Sequence, residues 1–288
     1  MTVAQVCEPA VFTSLQTLEA AIQQEFALTP GAFAIAFRNL SNSQESLYIK
    51  ERETFHAAST MKTSVMIEVY KQAASGRLSL NDSVLVKNEF TSIVDGSSFC
   101  LNVTDDSNQD LYDFVGKKKA LRELVYDMVI QRSNLATNLV IELVDARRIT
   151  QTMRQLGAKD IQVLRGVEDT KAFEKGLNNT ITAYDLMVIY EKMAQGEVLS
   201  HRASDDMIQT LLDQADRSII PAHLPSSVKV AHKTGNIQGV YHDSGIVYLP
   251  NGKKYVLVLL SKDLENQQEG KKTLANVSEL VYQFMISR

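Results

Sequence analysis

The chain has 288 residues, 44% of them hydrophobic, which suffices for one large domain or two subdomains with a real core. A net charge of −4 offers no basic face for nucleic acid, and no block of like charge is long enough to make a tail. No apolar run approaches the roughly 20 residues that a membrane span needs.

The start, "MTVAQVCEPAVF", lacks the basic region and apolar core of a signal peptide, so either the protein is intracellular or a leader has been removed. "FTSLQTLEAAIQQEF" places Leu15, Leu18, Ile22 and Phe26 at helical spacing. "GAFAIAFRNL" reads as a strand, paired with "ESLYIK" across the polar turn "SNSQ". A long helix starts near Ser59, and "LRELVYDMVI" and "NLATNLVIELVDA" are two more. "TAYDLMVIYEKMAQG" opens with Thr182 and Asp185 in capping-box spacing and closes on Gly196. "SDDMIQTLLDQA" is a further helix. Then the pattern changes to three strands, "SVKVAHKTG", "GVYHDSGIVYL" and "KKYVLVLLS", the last two joined by the hairpin signal "PNG". The final helix puts Leu274, Val277, Val281 and Phe284 on one face.

Two strands near the start cannot form a stable sheet alone. The economical fold is α/β (α+β): one mostly antiparallel five-stranded sheet from both chain ends, flanked by the terminal helices, plus a helical subdomain. The expected boundaries are 1–56 with 210–288 for the sheet and 57–209 for the helices, with a site in the cleft between them.

Three stretches carry candidate chemistry. In "FHAASTMKTSVMIEVYKQAA", Ser59 and Lys62 stand three apart at the start of a helix that buries most of its sides. The lysine either snorkels to water or activates the serine, and about one Ser-x-x-Lys is expected by chance in such a chain. "HKTGN" ends a strand, and Lys-Thr-Gly is on the order of twenty-fold rarer by chance. There Lys233 and Thr234 suit a substrate carboxylate, and Gly235 allows close backbone approach. "RSNLATN" sits at a helix junction, where Ser133 or Asn134 alone reads as a cap. Cys7 and Cys100 show no metal spacing and read as free thiols rather than a bridge.

Ser-x-x-Lys, x-Ser-Asn and Lys-Thr-Gly in this order resemble the class A β-lactamase and penicillin-binding serine hydrolase family, over nearly the whole chain. "FHAASTMK", "SNLATN", "RGVED" and "HKTG" are similar to bacterial class A-like hydrolases that lack the fullest set of residues. The resemblance implies that Ser59 is a nucleophile, that Lys62 takes its proton, and that the N–H groups of Ser59 and Asn236 form the oxyanion hole. Asn134, Lys233, Thr234, Gly235 and Asn236 bind substrate. Glu168 is the candidate water activator, with Arg165 holding its loop. It further implies a monomer, a β-lactam or related acyl substrate, no metal or organic cofactor, and a periplasmic or secreted location.

The sequence departs from the family in three places. The motif serine is replaced by Arg132, which cannot relay a proton, so Ser133 is the candidate substitute. Ala172 stands where the family has an asparagine, with Asn178 or Asn179 as replacements. The spacing from arginine to glutamate is one residue longer. His242 and Asp243 read as a surface pair or as help for a substrate carboxylate. The polar segment from Glu89 to Phe114 reads as an extended loop or strand pair over the cleft. Three activities follow: a β-lactamase, weakened by Arg132; a D-Ala-D-Ala peptidase or esterase; or a binding protein that β-lactams acylate and never leave. Glu168 favours the first over the third, and Arg132 counts against the first.

Overall fold

A computed structural model of the protein describes residues 12–42 and 44–288. Cys7 and the start of the chain lie outside them. Helix α1 (Leu15–Ala27) is capped by Ser14 and leads to strands β1 (Ala32–Asn39) and β2 (Ser46–Ile49). Short β3 (Phe55–His56), a 3₁₀ turn at Ala58–Thr60 and α2 (Met61–Ala74) follow. Next come β4 (Ser83–Leu85), β5 (Phe90–Thr91), β6 (Ser98–Phe99) and β7 (Lys118–Ala120), which pair locally as β4–β7 and β5–β6. The helical run is α3 (Leu121–Val129), α4 (Asn134–Val144), α5 (Ala146–Leu156) and the short α6 (Thr170–Glu174). After β8 (Thr180–Ile181) come α7 (Ala183–Gln195) and α8 (His201–Leu212). Strands β9 (Lys229–Ile237), β10 (Val240–Tyr248) and β11 (Lys254–Lys262) precede α9 (Gln267–Ile286).

The large sheet is antiparallel, in the order β2-β1-β11-β10-β9. The first and last parts of the chain meet at β1–β11, where Ala34 faces Leu260 and Phe37 faces Leu257. Both faces are covered, so β1 and β11 are apolar along most of their length rather than alternating, while β10 buries His242, Asp243 and Ser244 as well. Phe33, Ile35, Phe37, Leu257 and Leu259 pack with Leu18, Ile22, Val277, Val281 and Phe284 of α1 and α9. On the other face, Ala34, Ala36, Val256 and Val258 pack with α7 and the helical core. The small alanines allow α7 to lie close to β1.

Helix α7 shows how far local reading carries. Thr182 accepts the Asp185 N–H, and Gly196 ends the helix in the left-handed region, at φ 75°. The Asp185 carboxylate does not close the box. It accepts the N–H groups of Asp160 and Ile161, tying the helix start to a neighbouring loop. Strand β9 is the edge of the sheet, and its outer side meets the turn that carries Ser59. Among the described residues, no helix is long and apolar enough to cross a membrane.

Candidate active site

Ser59 is the middle residue of the 3₁₀ turn, one step before α2 proper. Its hydroxyl makes no hydrogen bond to another described residue and faces a cavity of about 500 Å³. The turn is held from several sides. The Ala57 N–H donates to the Asn179 carbonyl at 2.8 Å, and Thr60 Oγ1 donates to the Ala57 carbonyl at 2.6 Å. Ala58 has φ 44°, a conformation costly for a residue with a Cβ. Strand β9 presses on the other side: a Cβ on Gly235 would lie 3.0 Å from the backbone nitrogens of Ser59 and Thr60. The glycine therefore admits the protein's own Ser59 turn, whereas its sequence motif suggests space for substrate backbone.

Lys62 and Lys233 are both fully buried. The Lys62 amine donates to the carbonyls of Arg132 (3.1 Å) and Ser133 (3.4 Å), not to Ser59. Burial, and then the charge of Lys233, push its pKa well below the usual lysine value. Burial, and then Arg132, push Lys233 down to about 7. Its Nζ donates to the Thr234 carbonyl at 3.0 Å. Thr234 Oγ1 is buried without a partner, so a hydrogen-bonding ligand there would satisfy it.

The x-Ser-Asn stretch divides its residues between fold and cleft. Ser133 is completely buried and caps α4, accepting the Ala136 N–H at 3.1 Å and donating to Asp106 at 3.3 Å. This corrects its candidacy as proton carrier: its one O–H is spent inside the protein, away from the cleft. Asn134 does face the cleft, and its amide donates to Glu168 Oε1 at 2.7 Å. Arg132 has φ 62° and reaches over the cleft to Asn236 Oδ1 at 2.9 Å.

Asp106 escaped the sequence reading. Its buried carboxylate accepts the N–H groups of Asn134 and Leu135 at 2.9 and 2.8 Å, and the Tyr112 hydroxyl at 3.2 Å. Only its place in the polar 89–114 segment, whose residues favour turns, hinted at it. That segment does form a strand pair, β5–β6. It docks on the Glu168 loop through Asp169, which accepts Ser92 Oγ and the Ile93 N–H.

Glu168 sits half-buried at φ 62°. Burial raises its carboxyl pKa, opposed by the Asn134 hydrogen bond. Arg165 holds the loop by donating to the Leu177 and Gly166 carbonyls, both at 2.9 Å, and to Asn178 Oδ1 at 3.1 Å. Asn179 accepts the Leu164 and Arg165 N–H groups and donates back to the Arg165 carbonyl. Both asparagines thus brace the loop, and Ala172 is buried beneath it. His242 and Asp243 are neither a surface pair nor substrate ligands. His242 is buried against the Ser261 N–H and the His56 carbonyl, and Asp243 against His232 and the Ile220 N–H.

Ser59, Asn134, Glu168 and Asn236 line one cavity, with Arg165, Asn179, Phe173 and His56. Three of the six non-glycine positive-φ positions among the described residues, Ala58, Arg132 and Glu168, cluster around it. Backbone strain concentrated in this way marks functional sites. Among the described residues, no group of three or more His, Cys, Asp or Glu is placed to hold a metal ion. The model of the Beta-lactamase2 family, described as the beta-lactamase enzyme family, matches residues 17–285.

The chain belongs to the beta-lactamase enzyme family.

A β-lactamase of Bacteroides uniformis is 27% identical over 178 residues, 57% of this chain and 60% of that relative's length. The fold superposes on PBP-A with a TM-score of 0.81 at 26% identity, covering 97% of this chain and 99% of PBP-A. A PBP-A variant solved as an acyl-enzyme complex with penicillin G superposes at TM-score 0.80 and 28% identity, covering 95% and 98% of the two chains. The five-stranded antiparallel sheet with its helices is thus the β-lactamase and penicillin-binding fold.

Proposed function

We propose that the protein opens β-lactam rings through an acyl-enzyme on Ser59 and releases the product with water activated by Glu168. The observation that carries this reading is the shared cavity: Glu168, hydrogen-bonded to Asn134, lines the same space as Ser59. A protein that is acylated and never released needs no carboxylate there. In this reading 1–56 with 210–288 and 57–209 form two lobes, with the cleft between them.

The steps follow from the side chains. Ser59 Oγ attacks the lactam carbonyl carbon and its proton passes to neutral Lys62, a base because burial strips its charge. The N–H groups of Ser59 and Asn236 stabilise the oxyanion. The C–N bond breaks, and the nitrogen takes its proton from the Lys62 ammonium, since Ser133 is spent on Asp106 and Arg132 cannot give one up. Water then loses a proton to Glu168 and attacks the ester carbon, and the C–O bond to Ser59 breaks as Ser59 Oγ takes up that proton, passed on from Glu168 through Lys62. Lys233 and Thr234 face the substrate carboxylate.

Arg132 favours a second reading. Its bridge to Asn236 spans the cleft, and its fork of donors suits an anionic group of a peptide or ester substrate. A chromogenic cephalosporin assay with intact-protein mass spectrometry at early times separates the readings. Turnover supports the β-lactamase, a stable adduct supports an acylated binder, and neither outcome points to another acyl substrate.

A further inference from the structure

We propose that His56 is a positioning residue whose neutral imidazole holds the backbone turn carrying Ser59, and that its protonation releases that turn. The inference rests on the acylation of Ser59 and adds a residue that none of the three motifs contains.

The Ala58 N–H donates to His56 Nδ1 at 3.0 Å. An imidazole nitrogen accepts a hydrogen bond only while it carries a lone pair, so the contact exists only for the neutral ring with its proton on Nε2. The bond spans two residues, the geometry by which an asparagine carbonyl closes a turn on its own backbone. It falls at the strained position: Ala58, at φ 44°, is the residue before the nucleophile, and the next N–H along is Ser59's own. The His56 carbonyl is fixed in turn by His242 Nε2 at 2.8 Å, and β3 fixes its strand by pairing His56 with Thr180. The ring is thus anchored at its backbone and free to act on Ala58 alone.

The ring's surroundings keep it neutral. Burial, and then Arg165 on the facing loop, lower its pKa from the ordinary imidazole value. His242 of β10, itself pushed down to about 4, stays neutral and adds no charge beside the ring. Lys262 of β11 lies 4.8 Å from the centre of the neighbouring Phe55 ring. Phe173 meets the imidazole edge-on, with ring centres 6.3 Å apart. The acids of the same cavity, Glu168 and Asp169, are bound to Asn134 and to Ser92 with Ile93.

The test compares wild type, His56→Asn and His56→Leu, following labelling of Ser59 by penicillin G with mass spectrometry from pH 5 to 8. Thermal melts establish that the variants fold. At pH 7, wild type and His56→Asn should label within about twofold of each other. His56→Leu should be about fivefold to tenfold slower, the effect of one lost hydrogen bond. Below the imidazole pKa the wild-type rate should fall further than that of His56→Asn, whose amide oxygen accepts at every pH. On resting wild-type protein, NMR should show the Ala58 amide shift following the imidazole titration. Equal rates for all three proteins, the same acid limb in His56→Asn, or an Ala58 amide indifferent to His56 would each overturn the inference. If the Ala58 amide follows His56 but wild type is never labelled, the acylation reading itself is refuted, and the proposed role falls with it.

Discussion

A lysine amine loses its hydration when α2 and β9 close around the cleft, and the site uses that loss twice. Lys233, with a pKa of about 7 in the folded chain against 10.5 in the open one, carries the measurable consequence. Between these values the unfolded chain holds a proton that the folded chain has released. Stability therefore rises with pH across this window, and the burial penalty is present in full below it. Lys233→Met should raise the melting temperature by about 5 °C at pH 7, at the 2–4 °C per kcal/mol typical of this chain length. The advantage should shrink toward pH 10, while labelling by β-lactams is lost. Differential scanning calorimetry at pH 6, 8 and 10 reads this directly, and a gap independent of pH contradicts the assignment. Arg132 raises the opposite question, what an arginine contributes where the motif resemblance leads one to expect a serine. Arg132→Ser removes the bridge to Asn236 and introduces a hydroxyl. Since positioned proton transfer is worth about 10²–10⁴-fold, cephalosporin hydrolysis should rise at least tenfold. A folded variant with level or lower hydrolysis makes Arg132 a substrate ligand instead, and its own substrate should then be processed more slowly by the variant.

Helix α4 and the Glu168 loop show how an element is held from outside itself. Two N–H groups of the first α4 turn, and the Ser133 hydroxyl, converge on Asp106, a residue from the 89–114 segment. A carboxylate at a helix N-terminus is favourable, and a buried donor left unpaired is costly. Asp106→Ala should cost about 3 kcal/mol in a denaturant melt, and α4 should lose amide protection before the sheet does. A loss under 1 kcal/mol would mean that water replaces the carboxylate without difficulty. Arg165→Ala removes three bonds that brace the loop. It should slow release of the acyl group more than its formation, because Glu168 lies in the loop itself, while the Ser59 turn meets it only through the Ala57 N–H bond to the Asn179 carbonyl. Burst kinetics separate the two rates, and a variant slowed equally in both steps places Arg165 elsewhere in the mechanism. The cap residues Ser133 and Thr182 were legible in the sequence because their partners lie three residues away. Asp106 was not, since a partner 28 residues distant depends on the path of a loop. Helix α5 was also unread: Ile149 and Met153 are its buried apolar anchors on an otherwise polar run.

At the scale of the whole molecule, the sheet was legible because its strands carry apolar runs and the hairpin "PNG" joins two of them. That the early strands join the late ones in one sheet followed from their need for partners, whereas the junction of β1 with β11 is seen only in the fold. The order of the three candidate motifs could be read from the sequence, yet their geometry could not. The folded chain turns Ser133 inward, aims Arg132 across the cleft and gives the space at Gly235 to the Ser59 turn. Each of these depends on contacts between segments far apart in sequence, and two of the residues, Arg132 and Glu168, adopt a positive φ that no local pattern announces. What the fold assembles is the Ser59 hydroxyl and the Glu168 carboxylate in one cavity, and the proposal is that they act in succession. The direct measurement is time-resolved intact mass spectrometry of wild type and Glu168→Gln with penicillin G, followed by peptide mapping. The account predicts a transient adduct in wild type and a long-lived one in Glu168→Gln, on the peptide containing Ser59. Release at the wild-type rate in Glu168→Gln, or an adduct on any other residue, would contradict it.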